Sequence, residues 1–446
     1  MNIVSILENY TFHASDWEIY DARISIPPLS FGSDAINPHT QYSNPLLIFR
    51  KNGIKGVGVS FTLGDGNDLL CACVKKILIQ LEGISIGELF EKEGYFFEFF
   101  ANPKQLRWLS PYSGVAYMAA GAILNTLLDW AAKNLKLPLW KALCIEPSEN
   151  LLKFCSTRQY DPFLKFNDIR ENLDNGLIGI EDRVREVETS GLPVYFTTWI
   201  GDSPENIVKN IEEIHKNKGI NHFKLKISGD VNLTTSRIDY ILGKLAGRNF
   251  KFYADANQSL NYESAIEICR MLDSRNFVWL EEPFAPDNFR LHRMLIEALR
   301  SESNNLEIVT GENCPNSHTA IEFIQSMGCH RFQIDACRQM SISDTLPILV
   351  AARLKGVEIV PHAGGAGLDE LVTHLTAFNY CRICFEKPLQ SSLTEYVGFC
   401  SRYFESPTKV VSGSAIAPSQ AGYINDVSTL VYDALSNSSE IKWLEY

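Results

Sequence analysis

Seven ionisable side chains stand where an apolar run gives way to a loop. Lys224 and Lys226 lie in N-H-F-K-L-K-I, Asp255 closes F-Y-A-D, Glu281 sits in F-V-W-L-E-E-P, and Glu312 closes L-E-I-V-T-G-E. Asp335 closes R-F-Q-I-D and His362 closes V-E-I-V-P-H. Three carboxylates arriving together offer an oxygen-only ligand set, which suits a hard cation, Mg2+ first and Mn2+ second. Lys224 and Lys226 are two apart, so on a strand they share a face. Two ammonium groups side by side, partly desolvated, are expected to lower a lysine pKa toward the range of a general base. Asp335 can accept a hydrogen bond from one ring nitrogen of His362, which fixes the tautomer and leaves the other nitrogen for proton transfer. The glycines of A-G-G-A-G after His362 allow close approach of a ligand. The plainer alternatives are an edge strand with solvated lysines, and carboxylates that cap helices or pair with basic residues.

The spacing says what must position these groups. From Asp255 to His362 the successive positions lie 23 to 31 residues apart. A strand, a turn, a helix and a loop take about 30 residues. One reactive side chain therefore arrives per βα unit, at the end of each strand. In a closed (β/α)8 barrel that place is the C-terminal rim, where active sites are built. L-P-V-Y-F-T-T-W-I (192–200) reads as the first barrel strand, followed by a helix with Ser203 as N-cap and Pro204 at its first position. Strands and helices then alternate to about residue 395.

Upstream, D-A-R-I-S-I-P-P-L reads as a strand ending at Pro27–Pro28, and Lys51-Asn52-Gly53 joins two strands in a hairpin. From Leu69 to Trp140 the period is helical, and S-G-V-A-Y-M-A-A-G-A-I-L-N-T-L-L-D-W-A-A-K-N-L is apolar nearly all round, as a buried helix is. Strands first and helices after make an α+β domain. The expected organisation is a capping domain over 1–145, a barrel over 146–400, and a 401–446 tail that packs back on the cap. Residues 145–190 show no clear period and are read as a bridge.

Composition narrows the function classes. A length of 446 residues fits one barrel with a smaller domain, and 45% hydrophobic with 21% charged residues describes an ordinary globular chain. A net charge of −12 argues against a nucleic-acid partner. The N-terminus lacks the basic and apolar regions of a signal peptide, and no run approaches the ~18 apolar residues of a membrane span. The 11 cysteines are scattered, with one C-x-C (Cys71, Cys73) and one lone C-x-x-C (Cys381, Cys384). They read as reduced thiols in a cytoplasmic protein rather than a zinc site. G-V-G (56–58) lacks the third glycine of a dinucleotide fingerprint, and neither H-E-x-x-H nor G-x-S-x-G occurs.

These motifs together resemble the enolase superfamily, mandelate racemase subgroup, and within it the L-fuconate dehydratase family. The resemblance runs from about Gly32 to Tyr423. It is carried by G-S-D-A-I (32–36), F-K-L-K (223–226), D-A-N-Q (255–258), E-E-P (281–283), T-G-E (310–312), Q-I-D-A-C-R (333–338), P-H-A-G-G-A-G-L-D-E-L-V (361–372) and E-Y-V (395–397). It implies a modified (β/α)7β barrel with an α+β capping domain completed by the C-terminal tail. It implies Mg2+ on Asp255, Glu281 and Glu312, with Lys226, oriented by Lys224, on one side of the substrate and His362, paired with Asp335, on the other. Glu395 matches a late-barrel glutamate near the substrate carboxylate, and Asn257, Ser33, Asp34 and Lys224 are the further expected substrate contacts. The 32–43 loop would be a lid. The implied reaction is dehydration of a six-carbon acid sugar through an enediolate, with racemisation on the same site or a non-catalytic binding role as alternatives. A homo-oligomer is expected. The chain departs from the family after Glu312, where it reads N-C-P-N-S, and after D-A-N-Q, where Ser259–Leu260 replaces the usual Arg-Trp.

Overall fold

The computed structural model describes residues 1–24, 32–37, 42–102, 104–109, 112–398, 401–428 and 441–445. A short helix, Ile3–Leu7, opens the chain, capped by Asn2, and the antiparallel strands Trp17–Ile24 (β1), Tyr42–Lys51 (β2) and Ile54–Val59 (β3) follow. Asn52 (φ 53°) and Gly53 (φ 76°) form the tight β2–β3 turn that Asn-Gly favours. The expected strand end at Pro27–Pro28 lies outside the described residues.

The helix Gly114–Leu135 packs across β3. This contact explains the G-V-G pair. A Cβ on Gly58 would lie 2.0 Å from Thr126 Oγ1, and one on Gly56 2.7 Å from the Thr126 carbonyl. The helix is long and apolar enough to cross a membrane, yet 89% of its apolar window is buried within the protein. Each fully buried Leu or Ile contributes about 1.5–3 kcal/mol by leaving water, so the helix is the cap's main core element. Its Asp129, fully buried, accepts from Val57 N–H (2.8 Å) and, in the tail, from Tyr423 N–H (2.7 Å). The strand Ile441–Glu445 pairs antiparallel with β1, so the tail completes the cap sheet.

Eight parallel strands form the barrel. They are Leu192–Thr197 (β4), His222–Lys226 (β5), Lys251–Asp255 (β6), Trp279–Glu281 (β7), Glu307–Val309 (β8), Arg331–Phe332 (β9), Glu358–Ile359 (β10) and Thr394–Tyr396 (β11). Ladders link β4 through β8 and join β9 to β10, and β11 closes on β4. Gln333 N–H to the Thr310 carbonyl (2.8 Å) carries the wall from β8 to β9. β4 through β10 are each followed by an α-helix, and among the described residues β11 is followed by none, which is the (β/α)7β arrangement. The helix after β4, Pro204–Lys218, is capped by Ser203 as read from the sequence. Inside, Tyr195, Tyr253, Trp279, Val309, Val360 and Leu393 pack into a floor beneath the rim, with Tyr253 and Trp279 stacked at 3.8 Å.

Residues 145–190 differ from the bridge expected of them. They hold helices Ser148–Leu152, Phe166–Asn175 and Ile180–Ser190. These pack outside the barrel on the turn Asn379–Ile383, through Arg382 Nε to the Leu173 carbonyl (2.7 Å) and Arg183 Nε to the Cys381 carbonyl (2.8 Å). The first barrel strand ends at Thr197, and Trp199 and Ile200 belong to the loop that follows.

Candidate active site

Every strand-end residue singled out from the sequence reaches one buried region at the C-terminal rim. Parallel pairing sets Lys226 beside Asp255 and Asp255 beside Glu281, so consecutive strands deliver consecutive charges. One oxygen each from Asp255, Glu281 and Glu312 lies within 4.8 Å of the others. All three residues are buried. Lys224 Nζ is 2.7 Å from Glu281, 2.9 Å from Glu395 and 3.5 Å from Asp255. Lys226 Nζ is 2.5 Å from Asp255 Oδ2. At the other end, His362 Nε2 is 3.5 Å from Glu312 Oε2, and Nδ1 is 2.9 Å from Asp335 Oδ2. The lysine and the histidine thus flank the carboxylate cluster from opposite ends. Asp335 is itself held by Cys337 N–H (2.7 Å) and Arg338 N–H (3.1 Å).

The local field is strongly acidic. Among the described residues, the basic side chains within ion-pair distance of Asp255, Glu281, Glu312, Asp335 and Glu395 are Lys224, Lys226 and His362. Burial, then Asp255, pushes the Glu281 carboxyl well above its ordinary range. Burial pushes Asp255 up too, but Lys226 and Lys224 pull it down to about 2. Glu281 Oε2 and Glu312 Oε2 are buried with no hydrogen-bond partner among the described residues. Buried acceptors of this kind need a donor or a cation, and an oxygen-only set fits a hard divalent ion. The three residues fit Mg2+.

The lysine pair corrects one expectation. Desolvation does push both ammonium groups down, but the carboxylates outweigh it, and Lys224 and Lys226 are both raised. Mutual repulsion is outweighed because Glu281 and Glu395 lie within 2.9 Å of Lys224 Nζ and Asp255 within 2.5 Å of Lys226 Nζ. At His362, burial pushes the ring down, while Glu312, the Asp335 hydrogen bond and Glu395 raise it to about 9. Gly364 N–H faces Nε2 at 3.1 Å and favours the neutral tautomer instead. The carboxylates of Glu312, Asp335 and Glu395 win this balance.

Glu395 joins the cluster through Lys224, and its carboxylate also accepts from Thr197 Oγ1 and from Ala363 N–H (2.8 Å). Asn257, beside Asp255, is buried with its Oδ1 unpartnered among the described residues and its backbone at φ 43°. Ser33 is buried against the loop after β4, its Oγ accepting from Gly201 N–H at 2.8 Å. Asp34 uses Oδ1 on its own turn, accepting from Ile36 N–H and Asn37 N–H at 2.8 Å each. Of the expected lid, residues 38–41 lie outside the described residues. His222 is a structural residue: Nδ1 meets Tyr253 Oη at 2.6 Å, and burial lowers its pKa to about 4.

Two participants escaped the sequence reading. Thr197 holds Glu395, and Glu282, next to Glu281, is fully buried among the rim loops. The doubled acid of E-E-P is the one signal that marked Glu282 in advance.

The sequence pattern described as "Enolase C-terminal domain-like" matches residues 206–427. The chain is 31% identical to "Mitochondrial enolase superfamily member 1" of Xenopus laevis, over 92% of each chain. It is 30% identical to "L-galactonate dehydratase" of Hypocrea jecorina, covering 88% of this chain and 87% of that one. The crystal structure of human mitochondrial enolase superfamily member 1 superposes with a TM-score of 0.87 at 28% identity, covering 93% of this chain and 94% of that one. L-talarate/galactarate dehydratase from Salmonella typhimurium LT2, liganded with Mg and L-lyxarohydroxamate, shares the fold with a TM-score of 0.71 at 20% identity, covering 97% of this chain and 94% of that one.

Proposed function

Because the chain belongs to the enolase superfamily, we propose that it is a Mg2+-dependent acid-sugar dehydratase. On this reading it removes water from a six-carbon aldonate, of which L-fuconate and L-galactonate are the first candidates, and yields a 2-keto-3-deoxy acid. The observation that carries the proposal is the flanking of one carboxylate cluster by Lys226 at one end and His362 at the other. Relatives named as L-galactonate and L-talarate/galactarate dehydratases support the reaction class.

Asp255, Glu281 and Glu312 would hold the ion. Bound there, Mg2+ supplies positive charge against the negative charge that develops on the substrate carboxylate when the C2 proton leaves. Lys226 is the base at C2. Asp255 holds it charged in this structure. Were Asp255 to hold the ion, its charge would be shared and the ammonium of Lys224 beside Lys226 would favour the neutral amine needed of a base. Lys224 stays held by Glu395, which is outside the ligand set, and sets the position of the strand end. His362, oriented by Asp335, protonates the departing 3-hydroxyl, which leaves as water. The enol so formed tautomerises to the 2-keto acid. Glu395, Asn257 and Ser33 are the proposed contacts to the substrate's polar groups, with Asp34 at the edge. A homo-oligomer in the cytoplasm belongs to the same reading, and the ten described cysteines, all free, fit that compartment.

The test is turnover of a panel of six-carbon aldonates with and without Mg2+, scored by 2-keto-3-deoxy acid formed. No product from any member overturns the dehydratase reading.

A further inference from the structure

We infer that Glu282 is a positioning residue that ties together the three loops carrying the cation-binding carboxylates. This rests on the cation site of the proposed function and goes beyond it. Glu282 is fully buried, immediately after Glu281, with its backbone at φ 41°. Among the described residues no lysine, arginine or histidine lies within ion-pair distance of it. Its partners are two amides. Asn313 Nδ2, immediately after Glu312, donates to both carboxylate oxygens at 2.9 Å. Gln258 Nε2, three residues after Asp255, donates to Oε2 at 3.2 Å. The main chain repeats the link, because Gln258 N–H donates to the Glu282 carbonyl at 2.7 Å.

Each cation-binding strand end therefore contributes one residue to a bridge lying just outside the cluster. Asn313 Nδ2 also reaches Glu312 Oε1 at 3.3 Å, so the bridge touches one of the three carboxylates directly. Asn257 (φ 43°) and Gln258 (φ 65°) share the left-handed backbone of Glu282. Such backbone in non-glycine residues persists where surrounding bonds impose it. A bridge of this kind fixes the separation of Asp255, Glu281 and Glu312 before an ion arrives. Groups that orient metal ligands without touching the metal commonly matter as much as this.

The probe is Mg2+ alone, titrated calorimetrically into wild type, Glu282→Ala, Glu282→Gln and Asn313→Ala. Glu282→Ala is expected to bind about 10- to 100-fold more weakly while circular dichroism is unchanged. Glu282→Gln is expected within about threefold of wild type, because one amide partner can keep donating to its oxygen while the other turns its carbonyl toward the new amide nitrogen. Asn313→Ala gives a second reading should Glu282→Ala fail to fold, and weakening of the same sign is expected. Wild-type affinity in a folded Glu282→Ala, or in Asn313→Ala, overturns this inference alone. Absence of Mg2+ binding by the wild type overturns the functional reading beneath it.

Discussion

Replacing Lys224 with methionine keeps the length of the side chain and removes its charge. In the structure that charge is fully buried and answers three carboxylates, Glu281, Glu395 and Asp255. Removing one partner of a buried ion pair costs about 3–5 kcal/mol, because the other charge is left without compensation. Glu281, already pushed up by burial and Asp255, can take a proton and so holds the cost toward the lower end. Unfolding entropy of about 2.1 cal/mol/K per residue gives roughly 0.9 kcal/mol/K for the whole chain, so the melting temperature should fall by about 3–5 °C. The assay is a thermal melt by circular dichroism in EDTA, for wild type, Lys224→Met and Lys224→Met/Glu395→Gln. The double variant should be more stable than the two single effects summed, by about 0.5–3 kcal/mol, since the second change removes an orphaned charge. An unchanged melting temperature in Lys224→Met, or strict additivity, refutes the view that Lys224 is the counter-charge of the site.

Asp255→Asn and Glu281→Gln should each abolish Mg2+ binding in a calorimetric titration while far-ultraviolet dichroism stays that of the wild type. Tight binding surviving both changes removes the cation assignment. A second prediction concerns acid. His374 is buried, accepts from Trp140 N–H at 3.2 Å, and is held neutral by burial, its pKa lowered to about 3. Between its ordinary pKa and that value the unfolded chain binds the extra proton, so this residue makes the fold lose stability as pH falls from about 6.5 toward 3. In urea titrations between about pH 6 and pH 4, His374→Gln should flatten the slope by about 1.4 kcal/mol per pH unit. An identical slope in both proteins counts against it.

Much of the rim was legible because a barrel places strand ends together, and the runs of β5 through β10 each lead to an ionisable residue. Asp255, Glu281 and Glu312 needed only their types and spacing to be grouped. The Asn52–Gly53 turn and the Ser203 cap were legible for the same reason, since local backbone chemistry decides them. The helices Phe166–Asn175 and Ile180–Ser190 were not. They begin at Lys165 and Gly179 rather than at a strong capping residue, and few of their side chains are buried. The direction of the lysine shifts was also out of reach. It depends on Glu281 and Glu395, which are 57 and 171 residues from Lys224 in sequence and meet it only in the closed barrel. Glu282 was hidden because its partners, Gln258 and Asn313, are ordinary polar residues until three loops converge.

In the proposed reaction Lys226 and His362 work from opposite ends of one carboxylate cluster to remove a proton and a hydroxyl. It is tested most directly by incubating wild type, Lys226→Ala and His362→Asn with Mg2+ and the aldonate panel in D2O. The products are then read by nuclear magnetic resonance. Wild type is expected to form a 2-keto-3-deoxy acid and each single variant none. Wild-type dehydration by either variant contradicts the pair, and exchange or inversion at C2 without loss of water contradicts the reaction.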